Sequence, residues 1–238
     1  MAEVKLDGSF NHLYNINNDT YLLNKSGLKR TDCDITSSVR FNFGQKQVHL
    51  IGELYYNDGK RGDLYGLLSH RDSNSLHFTP HDIVSYDGSI KANLDLLTRL
   101  EMLNEIWPKG HEYYRIVNNH KEVSNYFNDV TSRGYEGIVI KNFTSKLVFG
   151  PCSWVKVKYK DMSTYTVVFI DAIKERIEVL VPDGNGCVNN VGVKVMNKDK
   201  QKLSIGDQVD VEHQGTLSGG GLRHPVYKGQ GGALWQQA

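Results

Sequence analysis

Cysteine is scarce and scattered in this 238-residue chain. Cys33, Cys152 and Cys187 lie far apart, with no C-x-x-C pair and no histidine at matching spacing. Neither a disulfide framework nor a structural zinc is therefore indicated, and a reducing, intracellular setting is expected. No apolar run approaches the roughly 20 residues that span a bilayer. Met1 leads into charged residues rather than a signal-peptide core, so a soluble protein is expected. Excess charge is missing too: 28 Lys and Arg against 27 Asp and Glu leave a net charge of +1. No global field then draws the chain to nucleic acid or membrane, and a polyanion has to be met by local patches. Internal repeats and low-complexity segments are also lacking.

What is present suffices for two cores, with 39% of the residues hydrophobic and domains running at about 100–200 residues. The first part reads as β-structure: "AEVKL", "NHLYNIN", "TYLLNK" and "QVHLIGELYY" alternate apolar and polar residues, with "NND" and "NDG" as turns. A helix is expected over "NLDLLTRLEMLNEI", where Leu94, Leu97, Leu100, Leu103 and Ile106 recur before Pro108. A second is expected over "KEVSNYFNDVTSRG", with Val123, Tyr126, Phe127 and Val130 on one face and Gly134 at its end. "RGDLYGLLSHR" carries a weaker helical pattern. The strands "GIVIKN" and "SWVKVKYK" follow. Near "KDMS" the pattern changes to short strands and Gly-rich turns ("YTVVFIDAI", "RIEVLVP", "VGVKVM", "DQVDVEHQ"), as in a small β-barrel. The expected domains are 1–160 and 161–238, with the tail "GQGGALWQQA" loosely held.

The chain opens on "MAEVKLDGSF". K-x-D-G arises by chance in roughly one chain in twenty of this length, so by itself it reads as a solvated lysine. Three later stretches change its weight: "LIGEL" with Glu53, "EGIVIK" from Glu136 to Lys141, and "WVKVK" with Lys156 and Lys158. If "WVKVK" is a strand, its two lysines point to one face; a solvated edge strand is the alternative. Glu53 ends an apolar stretch where an unpaired carboxylate is costly to bury.

In this order the four stretches resemble the motifs of the covalent nucleotidyltransferases, the superfamily of ATP-dependent polynucleotide ligases and messenger-RNA capping enzymes. The resemblance covers nearly the whole chain. It implies an α+β nucleotidyltransferase (adenylation) domain with mixed or antiparallel sheets and flanking helices, followed by an all-β OB-fold domain. It implies an ATP- and Mg²⁺-dependent ligase (Mn²⁺ able to substitute), sealing 5′-phosphate/3′-hydroxyl nicks through a lysyl-AMP intermediate. The expected partner is nicked duplex nucleic acid, DNA foremost, and the expected state is an intracellular monomer. Nucleotidyl transfer needs a nitrogen nucleophile in line with the α-phosphate, cations for the developing charge and a carboxylate for a hard cation. A free lysine is protonated at neutral pH, so the nucleophile needs a cationic pocket.

By resemblance Lys5 is the nucleophile and Asp7 assists the later steps. Lys156 and Lys158 sit on the α-phosphate, Glu136 binds the metal, and Glu53 contacts the ribose or supports the metal. Glu3 reads the adenine amino group, Lys141 faces the nucleotide, and His81, beside Asp82 in "HFTPHDIV", stacks on the purine. His77 is no metal partner for His81, because Pro80 breaks an intervening helix. Arg223, in "SGGGLRHPVY", orients the departing pyrophosphate; an OB-fold arginine on a phosphate backbone is its alternative. Basic clusters at "KSGLKR", "VKVKYK" and "KVMNKDKQK" are candidates for phosphate contacts.

The chain departs from the ligase pattern in places. Phe10, with Asn11 next, stands where DNA ligases carry an arginine, which favours an RNA or mixed-strand ligase as a rival. Lys25, which by resemblance is among the ATP-binding residues, stands for an arginine in "LLNKSG" and cannot make the bidentate phosphate fork. Only four residues precede Lys5, so either one wall of the adenine pocket comes from elsewhere or the start of the chain is trimmed, and the core alone is expected to grip the duplex. A GTP-using capping enzyme and a non-catalytic nucleic-acid-binding module are the other rivals.

Overall fold

The computed structural model describes residues 1–30, 43, 46–56, 58–61, 76–107, 114–149, 154–183, 186–217 and 219–231. The chain divides into two compact units, Met1–Lys158 and Tyr159–Ala238. In order, the first unit holds β1 (Ala2–Lys5), β2 (Gly8–Ile16), β3 (Asp19–Asn24), β4 (Val48–Tyr56), β5 (Leu76–Tyr86), β6 (Ser89–Ile90), α1 (Leu96–Ile106), β7 (Tyr114–Arg115), α2 (His120–Ser132), β8 (Gly137–Ile140) and β9 (Val155–Lys158). They form two sheets, ordered β7-β1-β8-β9 and β3-β2-β4-β5-β6. Every pairing in both is antiparallel, so "mixed" drops out of the expected description.

Strand alternation sorts the side chains. In β2, Asn11, Leu13 and Asn15 are buried while Phe10, His12 and Tyr14 are half-buried on the opposite face. Leu13, Leu50, Leu54 and Ile83 form a core with Leu96, Leu100 and Leu103 of α1. On the other sheet Ala2, Val4 and Ile138 pack with Tyr126 and Val130 of α2. Each such buried aliphatic stabilises the unit by about 1.5–3 kcal/mol. Asp95 caps α1 by accepting the Thr98 N–H at 2.8 Å, and Gly134 follows α2 at φ 93°.

Two expectations fail in informative ways. The core face of α1 is Leu96, Arg99, Leu100 and Leu103, while Leu94 and Leu97 are exposed. Steps of three residues fall short of the 3.6-residue turn, so five leucines and isoleucines spaced by threes drift around the axis and cannot share one face. The stretch between His77 and His81 is not a helix broken by Pro80 but part of β5, with Pro80 paired opposite Gly52. The helical pattern over 61–71 lies, past Arg61, outside the described residues.

The second unit is a closed barrel of β10 (Asp161–Ile170), β11 (Arg176–Pro182), β12 (Val188–Lys194), β13 (Gln208–His213) and β14 (Val226–Gln230), ordered β10-β11-β12-β14-β13. A short α3 (Asn197–Lys200) links β12 to β13. Val167, Ile177, Val179, Val193, Val209 and Val211 fill its interior. β14 takes in Gly229 and Gln230, the start of the tail expected to be loose. Lys200, within a cluster read as phosphate-contacting, is instead buried, its Nζ donating to the carbonyls of Asp171 (2.7 Å) and Lys174 (2.6 Å). Among the described residues, no helix is long and apolar enough to cross a membrane.

Candidate active site

The register of the first sheet builds the site. Lys5 on β1 and Lys158 on β9 both lie opposite Gly137 of β8, and Glu3 and Lys156 both lie opposite Val139. Directly opposed residues present their side chains to one face. Three separated stretches thus supply two adjacent rows, and Glu136 enters just ahead of the Lys5–Gly137–Lys158 row. Gly137 has φ 150°, and a Cβ there would collide with the Val157 carbonyl oxygen; only glycine lets the three strands close at this point. Gly8 of the K-x-D-G stretch has the same role on β2, where a Cβ would collide with the Leu54 carbonyl oxygen.

The two sheets face each other across a cleft with about 490 Å³ of open space. Glu3, Lys5, Val139, Lys141, Trp154 and Lys156 line it from the first sheet; Phe10, Glu53 and His81 line it from the second. At one end the Glu136 carboxylate, 3% exposed, accepts from Lys5 Nζ and from Lys158 Nζ (2.7 Å). Burial alone would raise the pKa of Glu136, but the two ammonium groups outweigh it and lower it.

At the other end Glu3 accepts from His81 Nδ1 and from Lys141 Nζ. Burial pushes Glu3 up, yet the Lys141 and His81 charges and hydrogen bonds prevail and hold it at about 2. His81 is depressed by its own burial and raised more strongly by Glu3, with help from Glu53, to about 9. Its second nitrogen, Nε2, lies 3.7 Å from Glu53. The ring therefore bridges the carboxylates expected at base and ribose. His81 is the unpaired residue of a β-bulge, since Gly52 pairs with Pro80 and Ile51 with Asp82; the bulge re-aims its side chain into the cleft. Asp82 turns inward to a bidentate, fully buried bond with Arg99 (2.7 and 2.9 Å).

Lys141 is wholly occupied. Besides Glu3 it donates to the His81 carbonyl at 3.2 Å and lies 4.1 Å from the centre of the Trp154 ring. Sequence reasoning passed over Trp154, although it shares the strand parity of Lys156 and Lys158. It also passed over Arg99, an arginine on the leucine face of α1.

Asp7 and Lys25 lie apart from these clusters. Asp7 is buried between β1 and β2, its N–H on the Gly59 carbonyl at 2.8 Å. Lys25 is exposed in the turn after β3. Arg223 belongs to the second unit, where it is buried and its backbone pairs with Gly215 and Gln214. Glu53 and Glu136 have separate partners, and among the described residues no three His, Cys, Asp or Glu side chains gather around one metal position.

A family model described as "ATP dependent DNA ligase domain" matches residues 1–158. The chain belongs to this family. A DNA ligase of Pyrobaculum islandicum is 26% identical over 143 residues, which are 53% of this chain and 24% of that protein; the match thus spans about a quarter of that relative. Among solved structures, one on Lig E DNA ligases, concerned with DNA binding with a minimal scaffold, has a TM-score of 0.70 at 18% identity, covering 96% of this chain and 91% of the other. The ligase domain of M. tuberculosis LigD has a TM-score of 0.60 at 15% identity, covering 96% and 88%. At these identities the structural likeness speaks for the fold, and it extends over both units of the ligase-family chain.

Proposed function

We propose that this protein is an ATP-dependent polynucleotide ligase acting on nicked duplex DNA, with an adenylation domain over the first unit and an OB-fold in the barrel, whose 1-2-3-5-4 strand order supports that name. The observation that carries the reading is the row Lys5–Gly137–Lys158 with Glu136 at its head. It sets one amine on the floor of the cleft between the two sheets, beside a second cation and a buried carboxylate.

In this reading ATP lies with its base toward Glu3 and its α-phosphate over Lys5. Lys156 and Lys158 take up the charge that develops on the phosphoryl oxygens. Lys5 Nζ attacks the α-phosphorus after losing its proton, the bond to the β-phosphate oxygen breaks, and pyrophosphate leaves. AMP passes from Lys5 to a 5′-phosphate, and a 3′-hydroxyl then displaces it to seal the strand. Glu136 fits a divalent cation as the one carboxylate beside substrate phosphates, the usual donor set for Mg²⁺. Such an ion supplies Lewis-acid stabilisation of the transferring phosphoryl group. Glu53, tied to His81, is better placed for the ribose than for that ion. Glu3 selects adenine, with Lys141 and His81 fixing its orientation.

The test is intact mass after incubation with Mg²⁺ and either ATP or GTP. We expect an AMP-sized increase with ATP, absent in Lys5→Ala; an increase from GTP alone would instead establish the capping chemistry. Nicked duplexes with RNA or DNA on each side of the nick then assign the sugar preference, which Phe10 leaves to experiment.

A further inference from the structure

Beyond the cleft, β2 carries a feature that nucleotide chemistry does not use. Its half-buried face shows Phe10, His12 and Tyr14 in succession, and the neighbouring strands extend this row. Phe10 meets His12 edge-on at 5.0 Å, and Tyr14 stacks on His49 of β4 at 4.1 Å and on Tyr21 of β3 at 5.5 Å, both with an interplanar angle of 17°. His12 Nδ1 and His49 Nε2 are 3.0 Å apart, within one hydrogen bond. Phe149, 56% exposed, flanks His12 at 6.1 Å.

We propose that the His12–Tyr14–His49–Tyr21 row is a stacking platform for the bases and sugars of the nucleic-acid strand that the ligase acts on. The proposal rests on the ligase reading above. Three observations select this occupant. The row is continuous with the nucleotide cleft, because Phe10, its first ring, is a wall of that cleft. Its far edge is basic: Lys25 and Lys29 are exposed there, and Lys29 Nζ lies over the Tyr21 ring at 4.9 Å, with Asp19 4.0 Å away. Its centre is uncharged, since burial lowers His12, and burial together with His12 lowers His49 to about 4. Neutral rings flanked by lysines favour contact with base and sugar faces in the middle and phosphates at the rim. Cross-strand ring pairs also stabilise a sheet by about 0.2–1 kcal/mol each, so the test has to separate recognition from folding.

The full chain is titrated, with chelator present, against a fluorescent nicked DNA duplex bearing a 5′-phosphate and a dideoxy 3′ end, at several salt concentrations. The proteins are wild type, His12→Ala/Tyr14→Ala and His12→Phe/Tyr14→Phe, and AMP uptake from ATP is measured on each separately. We expect the alanine variant to bind about 10- to 100-fold more weakly, as for the loss of one or two stacked bases. Its salt slope and AMP uptake should match the wild type, and the phenylalanine variant should recover most of the affinity. Wild-type affinity in the alanine variant overturns the platform. So does a salt slope reduced by about one, which marks a lost phosphate contact, or AMP uptake that falls in parallel. If the wild type takes up no AMP yet the alanine variant loses affinity, the platform stands and the ligase reading fails.

Discussion

The two ends of the cleft solve the same electrostatic problem differently. Glu3 and Glu136 are both buried carboxylates clamped between two cationic side chains. Around Glu3, His81 is 14% exposed and Lys141 1%. Around Glu136, Lys5 is 17% exposed and Lys158 35%. Removing the acid from a sealed cluster strands two charges away from water, whereas lysines that reach solvent can be rehydrated. The Glu3 end is therefore a fixed part of the fold, and its single geometry suits the base-reading role proposed for it. At the Glu136 end the two lysines reach solvent and can exchange the carboxylate for an incoming phosphate, which suits the reacting centre proposed for it.

Lys5→Ala should break the comparison most sharply. Covalent AMP uptake should vanish by mass spectrometry, while unfolding in urea shifts by only about 1–2 kcal/mol because Glu136 keeps Lys158. Next in size is Glu3→Ala, expected to lower stability by about 3–5 kcal/mol by leaving His81 and Lys141 buried without their acid. Glu136→Ala in the same urea titration should cost clearly less; equal losses would remove the distinction drawn here.

The third prediction concerns pH. Glu3, held at about 2, adds stability above its ordinary 4.5 and loses it as pH falls from there toward 2. His81, held at about 9, adds stability in full below 6.5 and loses it as pH rises through 9. Urea unfolding without divalent cations should show both limbs, with this pair contributing most between about pH 4.5 and 6.5. His81→Phe should erase the alkaline limb. The smallest effect is expected for Lys25→Ala, exposed and remote from both clusters: uniformly weaker binding across duplex sequences, with the salt slope reduced by about one phosphate contact.

Much of the site is legible in the strand pattern, because a period of two is enough to put Glu3 with Lys5 and Lys156 with Lys158. The register is not legible. Nothing local says that Gly137 lies between Lys5 and Lys158, or that Glu136 closes both lysines onto itself. His81 shows the same limit: "HFTPHDIV" looks broken by Pro80, yet a β-bulge absorbs the irregularity and turns the histidine to Glu3 rather than leaving it as a free stacking ring. Arg99 was hidden for another reason, since an arginine on an apolar helical face makes sense only once Asp82 is known to lie beneath it.

The sequence by itself determined most of the strands, though not β5, β6, β7 or β14, together with the two helices after residue 90, the change of pattern near residue 160 and the ordered motifs that mark the family. These depend on local periodicity and on residue chemistry. Tertiary structure alone decided which carboxylate each lysine meets, which face of α1 is buried, and that Phe10, His12 and Tyr14 continue into His49 and Tyr21. Most of those pairings join residues far apart in the sequence, as Lys5 with Glu136 and Lys141 with Glu3 do, and only the register of paired strands sets which of them come face to face.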